Sequence, residues 1–231
     1  MPPASDPFAP SDYTAQLLHV ARRHVRQARP ARVFEVGLGS GVVLAGLLQA
    51  GAERGGGVDV EPAAVDATRR LLAAEGLADR AEVRVGELWS TCAAQRYDLI
   101  VANLPHFAAE RADDGIHLPS WGSGGADGRR WVDPFLTGLA SHLAPQGLAL
   151  MTHNGFIDLE RTQAVVQPLG LVARVVCSAS AVLSPAKLAG MTPAVRERHQ
   201  GRSIHAVGAY AFVDFDIVAI EWASRGEPVD V

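Results

Sequence analysis

Across 231 residues the sequence carries only two cysteines, Cys92 and Cys177, and a single lysine, Lys187. Two thiols so far apart in the chain form no metal-binding cluster, and no metal site is expected. They read as reduced thiols in a cytoplasmic protein. No apolar run approaches the roughly 20 residues that cross a bilayer. The opening Met1-Pro2-Pro3-Ala4-Ser5-Asp6 has neither a basic n-region nor an apolar h-region, so no secretory leader is expected. A net charge of −4 gives no global reason to expect a nucleic-acid partner. Internal repeats and low-complexity tracts are absent as well. What is present is a chain with 48% hydrophobic residues, enough to bury one sizeable core.

The most informative stretch is Arg32-Val33-Phe34-Glu35-Val36-Gly37-Leu38-Gly39-Ser40-Gly41. A β-branched and aromatic run meets glycines at every second position, and an apolar helical pattern (Val42, Val43, Leu44, Leu47, Leu48) follows at once. Strand, tight turn and helix start are implied, with backbone able to take positive φ and approach a ligand closely. A pyrophosphate at a helix N-terminus wants N–H groups and no adjacent carboxylate, so Glu35 argues against a phosphate ligand. It suits a cationic one, such as the sulfonium and amino groups of S-adenosylmethionine (SAM).

Strand and helix patterns alternate from there. Strands are predicted over 32–37, 56–60, 81–86, 97–102, 147–152 and 170–177, with helices over 40–50, 62–75, 128–143 and 157–168. The last strand, Val213 to Trp222, begins with strict alternation and reads as an antiparallel strand inserted in the sheet. The expectation is a doubly wound, mostly parallel, seven-stranded α/β sheet with its ligand at the carboxyl ends of the strands. Residues 1–29 form an N-terminal segment with one amphipathic helix, its arginines a solvated face, and 30–231 form the main domain. Two stretches, 103–127 and 179–211, break the rhythm and read as long loops.

Four segments together resemble a class I SAM-dependent methyltransferase with a Rossmann-like fold. They are Glu35-Val-Gly37-Leu-Gly39-Ser-Gly41, Gly57-Val-Asp59-Val-Glu61-Pro62, Val85-Gly86-Glu87-Leu88-Trp89, and Asp98-Leu-Ile-Val-Ala-Asn103-Leu104-Pro105-His106. The resemblance implies SAM as cofactor. Its amino-acid end would lie near Glu35, Gly37, Gly39 and Gly41, its ribose hydroxyls on Asp59, and its adenine at Glu87, Leu88 and Trp89, with Asn103 bordering both ligands. The fourth segment is similar to the Asn-Pro-Pro-Tyr type of motif in enzymes that methylate amide or exocyclic amino nitrogens. An Asn oxygen and the next carbonyl can accept both N–H bonds of a planar –NH2 and turn its lone pair toward the methyl. Asn103, Leu104, Pro105 and His106 are therefore the expected catalytic segment.

Among these families the release-factor glutamine N5-methyltransferase group fits best, supported by the glycine-rich 124–129. Leu104 stands where that motif has its first proline, and His106 where it has an aromatic residue. The implied acceptor is a small molecule or a peptide. A SAM-using enzyme acting on a small metabolite, or on SAM itself by intramolecular displacement, is the alternative. A nicotinamide oxidoreductase would need a third glycine where Val42 stands and a Tyr–Lys pair the chain does not offer; a non-catalytic SAM-binding subunit would not need such complete motifs. Trp89 and Trp121 also read as packing residues; His153 and Asn154 end strand five beside the expected pocket, and Asn154 reads equally well as a helix cap. The two long segments are expected to meet above the carboxyl edge without joining the core. His106 and Trp121 would come from the first, and Arg196, Arg198, Arg202 and His205, a solvated face or an anion-recruiting lid, from the second.

Overall fold

The computed structural model describes residues 9–92, 95–109 and 123–223. Ser11 caps the first helix α1 (Asp12–Ala28) through a capping box with Thr14, and the helix buries Leu17, Ala21 and Val25. β1 (Arg32–Val36), α2 (Val42–Ala50), β2 (Arg54–Asp59), α3 (Pro62–Ala74) and β3 (Ala81–Val85) follow in the predicted alternation. Pro62 stands in the first turn of α3, where a missing N–H costs nothing. β4 (Tyr97–Ala102), α4 (Val132–His142), β5 (Leu143–Asn154) and α5 (Leu159–Val166) continue it. β6 runs from Leu171 to Leu183, and α6 (Pro185–Gly190), α7 (Pro193–His199), β7 (Ile204–Val207) and β8 (Tyr210–Trp222) complete the described chain.

The sheet order is β3-β2-β1-β4-β5-β8-β6, and β7 pairs with β8 off this path. β1 to β5 pair in parallel, while β8 is antiparallel to both β5 and β6. The inserted antiparallel strand is thus as the alternation at Val213–Trp222 indicated. The expected boundary at residue 29 does not separate two cores: Leu17, Ala21 and Val25 lie in the same cluster as Leu44, Ile100 and Phe215.

One expectation is overturned. Residues 179–211 are not a long loop outside the core. β6 carries on to Leu183 and β7 returns to make a hairpin with β8, so the sheet grows past the carboxyl edge as a three-stranded wall. Ala181, Leu183, Met191, Ile204 and Ala211 are buried in the main core. The physical reason is visible in β6: Ser178 and Ser180 donate to Asp216 and Asp214 of β8 at 2.6 and 2.7 Å, while Ala181 and Leu183 point inward.

Candidate active site

A cleft of about 360 Å³ opens above the carboxyl ends of β1, β2, β4 and β5. Its first half is built on the glycine turn. Gly37 and Gly39 hold φ of +80° and +52°, which L side chains rarely adopt. Asp59, at the end of β2, fixes that turn: its Oδ2 accepts from the Gly39 N–H at 3.0 Å and its Oδ1 from the Glu61 N–H at 2.9 Å. Each oxygen keeps a lone pair for a ligand hydroxyl. Burial pushes the Asp59 carboxyl up from its usual range, against those two N–H groups.

Glu35 is buried under the turn, and its Oε2 accepts from the Leu44 N–H at 2.9 Å. It caps α2, whose Gly41 N-cap offers no side chain. Full burial raises its pKa well above the usual carboxylate range. Glu35 still borders the cleft, so it adds a structural task to the expected one. Gly41 does not line the cleft. A Cβ there would stand 2.6 Å from Cγ2 of Thr68, so this glycine serves the packing of α2 on α3. Glu87 and Leu88 reach the cleft as expected.

Trp89 does not, which corrects its assignment to the adenine. Leu88 takes a left-handed φ of +47°, and the indole instead stacks on His142 at 4.4 Å and donates from Nε1 to the Phe135 carbonyl at 3.0 Å. An amphipathic ring with a stacking partner and a buried acceptor on α4 is better satisfied there.

The second half of the cleft centres on Asn103, just past β4. Thr152 of β5 donates to its Oδ1 at 2.8 Å, and its Nδ2 donates to Thr14 of α1 at 3.2 Å. Leu104, Pro105 and His106 follow along the wall. His106 is buried, edge-on to the Tyr13 ring at 5.5 Å, with no hydrogen-bond partner for its Nδ1 among the described residues. Burial, with smaller contributions from His153 and Lys187, pushes its pKa down to about 3, so the ring is neutral at physiological pH. Tyr13 donates its hydroxyl to Asn154 Oδ1 at 2.8 Å. Asn154 is therefore tied to α1 instead of capping α5, whose cap is Asp158.

Sequence reasoning read the helix start at Ser11 but did not place it at the site. Ser11, Asp12, Tyr13 and Thr14 line the cleft, and the only available signal was an aromatic residue inside the capping box. The segments around 103–109 and 179–211 do meet, through the Thr192 N–H and the Ala108 carbonyl at 2.9 Å. The basic cluster is not what faces the site. Arg196, Arg198 and Arg202 are exposed away from the cleft, and His205 pairs with Asp214 at 2.6 Å. Lys187 is the cation that lines the cleft among the described residues. Trp121 lies outside the described residues.

The charge of the cleft tests the implied cofactor. Glu35, Asp59 and Glu87 line the glycine-turn half, and no arginine lines it among the described residues. That half suits a sulfonium and an ammonium group and repels a pyrophosphate.

The same architecture is found in solved structures. A SAM-dependent methyltransferase from Thiobacillus denitrificans, solved with S-adenosyl-L-homocysteine, aligns with a TM-score of 0.55 at 19% identity over 96% of this chain and 99% of that one. Fold and cleft are those of the class I methyltransferases that the chain is similar to, and the glycine-turn half of the cleft fits SAM as the cofactor. Among these, a family model described as ribosomal protein L11 methyltransferase (PrmA) matches residues 13–106. The release factor glutamine methyltransferase of Rhodospirillum rubrum is 36% identical over 139 residues, which is 56% of this chain and 39% of that protein. The enzyme of the same description from Cereibacter sphaeroides is 33% identical over 128 residues, 52% of this chain and 46% of that protein. The chain thus spans less than half the length of these two relatives.

Proposed function

We propose that this chain transfers the methyl group of SAM to the nitrogen of an amide or amine acceptor. The observation that carries this reading is Asn103, held from both sides by Thr152 and Thr14 where the two halves of the cleft join. Asp59 and the glycine turn would hold SAM, which when bound would supply an electrophilic methyl on its sulfonium. Asn103 Oδ1, with one lone pair used by Thr152, accepts one acceptor N–H through the other, and the Leu104 carbonyl accepts the second. These two acceptors hold the nitrogen and favour loss of its planarity as its lone pair turns to the methyl. Orientation of this kind contributes several kcal/mol, about enough to work without a strong base. Neutral His106 orients the acceptor and does not act as a cationic acid. The relatives methylate, by their descriptions, release factor glutamine or ribosomal protein L11, which supports a nitrogen acceptor.

Asn103→Ala tests this. SAM affinity should change less than about threefold, while turnover falls by about a hundredfold or more, because the lost contact forms only with the reacting nitrogen. Turnover within a few fold of wild type would return Asn103 to a turn residue and overturn the reading.

A further inference from the structure

The acceptor half of the cleft presents a buried ring nitrogen that nothing in the described chain satisfies, together with a lysine. Asn154 is buried at the end of β5 and lines the cleft, its Oδ1 taking the Tyr13 hydroxyl. His106 lies against the same Tyr13 ring, buried and without a partner for Nδ1. Lys187, exposed, lines the same cleft as His106 and forms no ion pair among the described residues. Asp12, on the α1 side of the cleft, makes no ion pair with it either.

A buried donor left without a partner costs about 1–3 kcal/mol. An amide side chain, a neutral imidazole that donates when its proton is on Nδ1, and an ammonium lining one cleft are matched by a group with several acceptor lone pairs and negative charge.

We propose that this subsite binds an oxyanion, a carboxylate or a phosphate, carried by the methyl acceptor, and that Lys187 determines specificity for it. The acceptor is then a small anionic molecule whose nitrogen lies at Asn103 and whose oxyanion rests among Asn154, His106 and Lys187. The placement of the nitrogen rests on the N-methyltransferase reading; the oxyanion subsite stands on its own contacts.

The full chain saturated with S-adenosylhomocysteine is titrated calorimetrically with two probes, glutaramate (a primary amide with a carboxylate) and the neutral glutaramide. Wild type should bind glutaramate at least tenfold more tightly, with the preference shrinking as salt rises. Lys187→Gln should erase the preference and Lys187→Arg should keep most of it, both with unchanged S-adenosylhomocysteine affinity, since the residue is exposed and away from the glycine turn. Acetate and inorganic phosphate, added separately as competitors, assign the oxyanion by whichever displaces glutaramate more effectively. Equal binding of the two probes, binding of neither, a preference that survives in Lys187→Gln, or competition by neither anion overturns the proposal. Because no methyl is transferred in this assay, failure of the nitrogen chemistry would leave the preference intact, and the two failures are distinguishable.

Discussion

Replacing Asp59 by alanine separates what this carboxylate does for the fold from what it does for the cofactor. The backbone N–H groups of Gly39 and Glu61 donate to it, and that of Leu38 also favours its charged form. Hydrogen bonds to a charged group contribute about 1.5–3 kcal/mol each. Against them stands the desolvation that raises the pKa of this buried carboxyl, and its removal is a gain. The two effects oppose each other, so stability should fall by no more than about 3 kcal/mol and the chain should stay folded. No such offset exists for the ribose hydroxyls assigned to the two remaining lone pairs. Loss of even one of those contacts, at about 1.5–3 kcal/mol, weakens SAM binding roughly 10- to 150-fold. Asp59→Asn keeps one acceptor oxygen and should fall between wild type and Asp59→Ala. Calorimetric titration with SAM, alongside thermal unfolding of each variant, reads both quantities. A folded Asp59→Ala chain with wild-type SAM affinity would refute the assignment of the ribose to Asp59.

Gly138→Ala would place a Cβ 2.2 Å from Trp89 Cδ1, and the overpacking should cost about 1–3 kcal/mol in urea unfolding. SAM affinity of the folded fraction should be unchanged, because Trp89 faces α4 and not the cleft. Acid should also destabilise the chain through its buried histidines. His106 and His153 are held neutral, at about 3 and about 4, chiefly by burial. Their contribution is complete above the unfolded value of about 6.5 and is lost as pH falls toward the folded values, at up to roughly 1.4 kcal/mol per pH unit per group. Glu35 and Asp59, raised in the fold, act in the opposite sense: their contribution is present below their unfolded values and lost as pH rises through the folded ones. Comparing His106→Gln with wild type cancels the carboxyls, and its stability should decline less steeply between about pH 6.5 and 4. Parallel declines would show that His106 titrates normally.

The parallel half of the sheet was legible because its signals are local. Apolar runs such as Leu99–Ala102 are bounded by polar residues, here Asp98 and Asn103, and an N-terminal proline opens α3. The glycine turn and Asp59 were legible for the same reason, since positive φ and a strand-end acid each leave a mark within a few residues. The extension of β6 past Cys177 and the return strand β7 were not, because the alternation in β6 is written there in small residues, Ser178-Ala179-Ser180-Ala181, with little hydrophobic contrast. Ser184-Pro185 and Thr192-Pro193 open α6 and α7 within this stretch, which the sequence reading took as loop. Trp89 was misplaced because the left-handed turn at Leu88 re-aims it, a backbone state its sequence does not announce. Tyr13 and Thr14 join the site through contacts to Asn154 and Asn103, on strands far along the chain, and no local pattern encodes that pairing.

The central claim, methyl transfer from SAM to nitrogen, is tested most directly by following both products of one reaction. The wild-type chain is incubated with SAM bearing an isotopically labelled methyl group and a fractionated extract of small molecules and peptides, and mass spectrometry reads the outcome. S-adenosylhomocysteine should appear in step with a product whose labelled methyl is on nitrogen, and Asn103→Ala should abolish both together. Release of methylthioadenosine, or a labelled methyl on oxygen or carbon, would contradict the account.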